Sequence, residues 1–309
     1  MRDKKYVLAI GAANMDINCS TSQVLVAGDS TPGLVRYAAG GVARNVAENL
    51  ARLGHDVCLL SAVGDDLYGR GLLEHTHNAG VDSSNCWTVA GAATSSYMSL
   101  HGADGEMAFA INDMAILQHI TPDLLAGQSQ KFRNASALLV DCNLTEVALE
   151  WLFTHSHDTP VFVDPVSAFK CPRLAPWLHR VHTLKANRLE AQTLWGQAVD
   201  SDADVEQAAR WLHAQGVSRV VLSLGERGVY WSARDGASGW QAAIRVAVCN
   251  ATGAGDALLA GLLHGHLHHM ALRQSVRFAV GCAALTLTVN QANHPDLSPA
   301  AVRQLIDAV

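Results

Sequence analysis

Six short apolar runs rich in β-branched residues recur along the chain, and longer stretches whose apolar positions repeat with helical spacing lie between them. The runs are YVLAIGAA, DVCLLSAVG, ALLVDC, VFVDP, VHTLKA and RVVLSLG; VARNVAENLARLG and DADVEQAARWLHAQG are two of the stretches. A strand that is apolar throughout is buried on both faces, and a helix after each strand supplies the cover. The alternation therefore predicts an α/β protein with a mostly parallel central sheet flanked by helices. From Ala254 to Val309 the pattern is mostly helical.

Two segments break this rhythm, about residues 15–39 and 85–111. CWTVAG and SSYMSLHGADGEMAFAI, the latter with a D-G turn, have the character of hairpin strands. They are expected to form a small β-strand lid over one edge of the sheet. No internal repeat, low-complexity tract or Pro/Gly linker divides the chain, so residues 1–309 are read as one domain carrying this lid.

The 49% hydrophobic content of the 309 residues is enough for a large core, and the net charge of −6 leaves no basic patch for phosphate neutralisation. Nucleic acid is excluded as a partner on that ground, as is a membrane surface, for want of a polybasic run. No apolar run reaches the roughly 18 to 20 residues that cross a bilayer, and the opening MRDKKYVLAIGAANMD is too short in apolar residues for a signal peptide. The expected location is the cytoplasm, in keeping with seven scattered cysteines that never form C-x-x-C and read as free thiols. HGHLHH places His264 and His268 one helical turn apart, a metal-binding spacing. No nearby cysteine or carboxylate completes a ligand set, and the pair is read as the polar end of a helix.

NATGAGDALLAG, from Asn250 to Gly261, sets two glycines and an acid directly before an apolar helix. Backbone N–H groups converge on such a turn, and the helix terminus adds partial positive charge, so the turn is an anion cradle. Read locally, Asp256 could equally be a first-turn acid that complements the helix dipole. The chain has no G-x-x-x-x-G-K-[ST], and GAANMD stands after the first strand in place of G-x-G-x-x-G. A P-loop and a dinucleotide-binding site are both excluded.

GAANMD (Gly11–Asp16), GGVARN (Gly40–Asn45), GDD (Gly64–Asp66), KANRLE (Lys185–Glu190) and NATGAGD follow one another in the order seen in the ribokinase-like (PfkB-type) sugar and nucleoside kinases. The ordered set resembles that family over essentially the whole chain, lid insertions included. The resemblance implies an ATP-dependent phosphotransferase. Asp256 would be the base that takes the proton of the accepting hydroxyl, with Gly253, Ala254 and Gly255 forming the anion hole around it. Asn14 and Asp16 would hold sugar hydroxyls, beside Gly40, Gly41 and Asn45. Ser223, Gly225, Gly228 and Thr252 would contact ATP together with Asn187, Gly253 and Gly255. Asn187 and Glu190 would hold Mg2+ through water.

Departures from the family pattern are informative. Val42 stands where ribokinases carry lysine, which favours a nucleoside over free ribose, and Ser30, Ser96, Asn112 and Asp113 on the lid segments are the candidates for reading its base. Asn250 replaces the acid that helps some members bind a monovalent cation, which removes the basis for expecting potassium activation. Related kinases often pair lid to lid, so a homodimer through the lid is expected. The alternatives are a kinase of this family for another nucleoside or a sugar, and a non-catalytic small-molecule sensor on the same fold. Asp256, Asn187 and Glu190 argue against the sensor.

Overall fold

A computed structural model describes residues 6–308. Its strands are β1 (Val7–Ile10), β2 (Asn14–Ser20), β3 (Leu34–Gly40), β4 (Val57–Leu60), β5 (Ala62–Gly64), β6 (Trp87–Val89), β7 (Ser96–His101), β8 (Met107–Asp113), β9 (Ala137–Asp141), β10 (Val161–Asp164), β11 (Thr183–Asn187), β12 (Arg219–Ser223), β13 (Val229–Ala233) and β14 (Ser238–Gln241). Eight of them form one sheet in the order β14-β13-β12-β11-β10-β9-β1-β4. The six apolar runs of the sequence are its six parallel strands, from β12 across to β4. β13 and β14 extend one edge antiparallel, joined through the Asp235-Gly236 turn.

Successive side chains of a strand face opposite ways, and the core divides accordingly. Leu8, Ile10, Leu138 and Val140 pack into one apolar layer. Val7, Ala9, Ala137 and Leu139 pack into the other, against Val46, Leu50, Leu259 and Leu263 from the helices Val42–Arg52 and Ala254–Leu267. The helix Ala254–Leu267 is clasped between Val42–Arg52 and Leu272–Leu287. All its residues from Asp256 to Gly265 are buried, which explains why its sequence has no polar face.

A second sheet has the order β3-β2-β7-β8. It contains the two expected hairpins, and β2 and β7 run parallel where they join. Trp87–Val89 belongs elsewhere: it pairs with Ala62–Gly64 in a separate two-stranded ribbon.

Strand order places the carboxyl end of β1 beside that of β9, at the point where the chain switches from building one side of the sheet to the other, the usual location of ligand sites in such sheets. Asp141, at the end of β9, is fully buried there and accepts hydrogen bonds from the N–H groups of Ala12 (2.9 Å), Ala43 (3.0 Å) and Asn143 (2.9 Å). One carboxylate thus fixes the turn after β1 and the start of the helix Val42–Arg52. Burial pushes its pKa up, against the pull of those three donors. Asp141→Ala leaves the donors buried and unpaired, and is expected to lower stability by roughly 3 kcal/mol or more, measurable by urea denaturation. Asp141→Asn, which keeps an acceptor, is expected to cost less.

Candidate active site

The turn before the helix Ala254–Leu267 is shaped by Gly253, whose φ of 81° lies in the left-handed region; a Cβ there would also collide with the Ala292 carbonyl. No side chain caps this terminus; the Ala254 N–H makes a long 3.5 Å contact with the Ala251 carbonyl, and no side chain occupies the first-turn N–H groups. Lys185 reaches the same turn from β11, and a Cβ on Gly255 would stand 2.7 Å from the Lys185 Nζ. The buried ammonium is paired with Asp164 at 2.8 Å. Although burial alone would lower the Lys185 pKa, Asp164 and Glu190 hold it above its ordinary value, so it is a fixed cation.

Asp256 begins the buried part of that helix and is only 8% exposed. Its Oδ2 accepts a hydrogen bond from the Asn45 Nδ2 at 2.7 Å. Burial first, then the nearby Asp164, push its pKa up to about 7, while Lys185, Asn45 and Arg44 oppose the rise. A carboxylate tuned to neutrality can both take and hold a proton at physiological pH.

Arg44 and Asn45 enter on the first turn of the helix Val42–Arg52, whose N-cap is Gly41. Arg44 is 1% exposed and donates to Glu48 (2.6 Å), Asn293 (2.7 Å), the carbonyls of Gly40 (3.0 Å) and Ala39 (3.1 Å), and the Asn45 Oδ1. Asn293 in turn donates to the Asn45 carbonyl at 2.8 Å. Asn45 is therefore held from both sides with its amide aimed at Asp256. Arg44 also feels the charge of Asp16 and links the two acids electrostatically.

Asp16 lies on β2, where Asn14 donates to its Oδ1 at 2.6 Å. Gly40, which pairs with Asn14 across β2–β3, lies diagonal to Asp16, and any Cβ at Gly40 would strike the Asp16 carboxylate. Burial raises the Asp16 pKa, against Asn14 and Arg44.

The register of the second sheet sorts the four residues expected to read a base. Asp16 is in line with Tyr97 and Asn112, so Asn112 shares its face. Met15, Ser96 and Asp113 form the adjacent row, and period-two alternation turns Ser96 and Asp113 to the opposite face. The expectation that all four face one pocket is corrected on that point. Ser30 sits in the exposed loop between β2 and β3.

Asn187 and Glu190 form a capping box at the start of the helix Arg188–Trp195: Asn187 Oδ1 accepts from the Glu190 N–H (2.8 Å) and Glu190 Oε2 from the Asn187 N–H (2.7 Å). This cap engages one Glu190 carboxylate oxygen, Oε2. Burial and then Asp164 raise the Glu190 pKa, and Lys185 and the Asn187 N–H oppose them. Asn187, Ser223 and Gly225 line a cleft of about 510 Å³ together with Arg188, Leu224 and Arg227. Gly228 closes the turn from Gly225 to β13, while Thr252 stands exposed just ahead of Gly253. Asn250 is engaged within the protein, donating to the Asn290 carbonyl (3.1 Å) and accepting from the Thr252 N–H (2.9 Å).

Lys185, Asp164 and Arg44 received no role from the sequence. Each stands inside a motif that was noticed, in KANRLE, VFVDP and GGVARN, but a buried ion pair between two strands has no local signature. Brought together, these groups place a fixed cation, free helix N–H groups and a carboxylate of near-neutral pKa around one point, an arrangement suited to moving an anionic group onto a hydroxyl.

The raised pKa of Asp256 has a cost in folding. The folded chain holds this proton more tightly than the unfolded chain, so ionisation disfavours the fold, increasingly from about pH 4 to about pH 7 and constantly above. Asp256→Asn is expected to raise the thermal midpoint at pH 8, by a stabilisation on the order of 4 kcal/mol, and to leave it unchanged at pH 4. Scanning calorimetry at the two pH values checks this.

The sequence pattern of the pfkB family carbohydrate kinases matches residues 4–299. The pseudouridine kinase of Escherichia coli is 47% identical over 307 residues, covering 99% of this chain and 98% of that protein. The uncharacterized sugar kinase YeiI of the same organism is 43% identical over 298 residues, covering 96% of this chain and 82% of YeiI. The structure of Arabidopsis thaliana ribokinase complexed with ribose and ATP superposes with a TM-score of 0.88 at 21% identity, over 98% of each chain. It shares the fold. By the span of the family match, and by identities well above 30% over nearly all of its length, the chain belongs to the pfkB family of carbohydrate kinases.

Proposed function

We propose that the protein transfers the γ-phosphoryl group of ATP to the ribose 5′-hydroxyl of pseudouridine, giving pseudouridine 5′-phosphate and ADP. The observation that carries this reading is the 47% identity with a pseudouridine kinase from end to end of both chains. The buried site is consistent with it. Asp256 takes the hydroxyl proton as the new O–P bond forms, and the bond from the γ-phosphorus to the β-phosphate oxygen breaks to release ADP. The N–H groups of Gly253, Ala254, Gly255 and Asp256, with Lys185 beside Gly255, neutralise charge on the transferring group. Asn14 and Asp16 hold the ribose hydroxyls. Asn187, Ser223 and Gly225 cradle the nucleotide in the cleft of about 510 Å³, with Gly228 and Thr252 assigned to its contacts beyond that lining.

The hard oxygen donors of Asn187 and Glu190 suit Mg2+ held through water, and they would be its anchor here. When bound, the ion neutralises phosphate charge. The second sheet, which bears Asp16, acts as the lid of a single domain, and its closing onto the end of the helix Ala254–Leu267 excludes water. Pseudouridine carries an N1–H that uridine lacks; Asn112, in the row of Asp16, and Ser30 in the adjoining loop are the groups placed to accept from it. Seven free thiols suit a cytoplasmic setting, and no helix among the described residues is long and apolar enough to cross a membrane.

The other face of the second sheet exposes Val35, Tyr37, Met98, Phe109 and Ile111. A patch of this kind suits a partner surface, and we propose that two copies pair through it. Light scattering at micromolar concentration is expected to give a dimeric mass, and Ile111→Glu a monomeric one.

An ADP-release assay with ATP and Mg2+ over pseudouridine, uridine, adenosine, cytidine and ribose tests the reaction. Pseudouridine is expected to be preferred over uridine by about tenfold or more in kcat/KM, with ribose poorer still; equal values for the two nucleosides would overturn the selectivity. Asp256→Asn is expected to lower kcat by roughly 10²- to 10⁴-fold in a folded protein.

The acid limb of kcat/KM is expected near pH 7, where Asp256 of the free enzyme loses its proton. Since Lys185 holds this pKa down, Lys185→Met is expected to move the limb to higher pH, as well as weakening turnover. A limb that stays in place would separate Lys185 from the base.

A further inference from the structure

Toward the opposite end of the helix Ala254–Leu267, about 12 to 18 Å from Asp256 at 1.5 Å per residue, three imidazoles converge. His264 and His268 occupy successive turns, and His55 comes from the turn between the helix Val42–Arg52 and β4. One ring nitrogen of each lies within 4.8 Å of those of the other two. The His55 Nε2 faces the His264 Nδ1 at 2.8 Å. His264 is 2% exposed and stacks on Phe278 with ring centres 4.5 Å apart, yet its Nε2 has no hydrogen-bond partner. The nitrogen that His264 turns toward His55 is Nδ1, so an ion shared by the cluster would be reached through Nδ1. A cavity of about 300 Å³, bordered by His55, His268, Gly54 and Tyr6, opens on the cluster.

From this convergence we propose a second ligand site: His55, His264 and His268 bind a divalent transition-metal ion of the zinc type, with a coordination position open to the cavity. Three imidazole nitrogens select zinc, nickel or copper(II) over magnesium and calcium, which prefer oxygen. Zinc–nitrogen bonds of 2.0 to 2.1 Å in a tetrahedron separate two ligand atoms by about 3.3 Å. The His55–His264 pair therefore needs to open by only about half an ångström. The ion would fasten the turn before β4 to the far end of the helix that carries Asp256. Its role is a clamp, and no reaction step is assigned to it.

The test uses the full chain after removal of metal by chelation. Zinc titrated against a chromophoric competitor is expected to bind the wild type at one equivalent, and to raise its thermal midpoint by roughly 5 °C at a free concentration about 100 times Kd. His268 is exposed, so His268→Ala is expected to fold; it should lose at least about tenfold in zinc affinity together with most of the thermal shift, while metal-free turnover stays at the wild-type level. His55→Gln should behave alike. Cobalt(II) is expected to give the strong visible absorption of a four-coordinate ion in the wild type, and not in His268→Ala. Equal zinc affinity and equal thermal shift in wild type and His268→Ala would overturn the site, as would the absence of a stoichiometric zinc equivalent in the wild type. Magnesium is expected to give no shift in this assay; a shift of the same size would also overturn it.

Discussion

The ion pair between Asp164 and Lys185, buried under the amino end of the helix Ala254–Leu267, is the constraint on which the rest of the site depends. An uncompensated charge at that depth would cost several kcal/mol, so each partner requires the other. Together they set the electrostatics of everything nearby. Asp164 raises the pKa of Asp256 and of Glu190, and Lys185 restrains both. A carboxylate suited to base chemistry at neutral pH is the product of this balance and of burial. It does not follow from the identity of residue 256 alone.

Arg44 does for the side of the site that bears Asp16 what that pair does for the anion turn. Its guanidinium is buried but saturated, spread over Glu48, Asn293, Asn45 and two backbone carbonyls at the end of β3. By gripping those carbonyls it joins the second sheet to the body of the protein, and by gripping Asn45 it aims an amide at Asp256. One side chain therefore couples the position of the sheet bearing Asp16 to the orientation of the proposed base. The two positions are thus joined through one hydrogen-bond network, whose members polarise one another.

The strands of the large sheet that the sequence made legible are those buried on both faces, because double burial leaves an unbroken apolar run. β13 and β14 escaped that reading. They form an antiparallel edge, and Ser232, Ser238 and Gln241 interrupt their apolar residues, although the Asp235-Gly236 turn between them was a usable signal. Trp87–Val89 looked like its neighbours in the lid segment because strand character is local, whereas its partner, Ala62–Gly64, is chosen by the path of the chain. The anion turn and its acid were legible in NATGAGD because the glycines, the acid and the helix are contiguous there.

The sequence by itself determined the α/β class, the parallel strands, the two hairpin segments and the turn that carries Asp256, since periodicities of 2 and 3.6 residues and the demands of a tight turn are properties of neighbouring residues. Tertiary structure decided which distant groups meet. A single register assigned Asn112 to the face of Asp16 and turned Ser96 and Asp113 away from it. Strand order brought Lys185 and Asp164 side by side under the anion turn, and the packing of two helices supplied His55 to a histidine pair that lacked a third ligand in sequence. These outcomes depend on strand pairing, register and helix packing over separations of 20 to more than 200 residues, where no local pattern records which side chains will face one another.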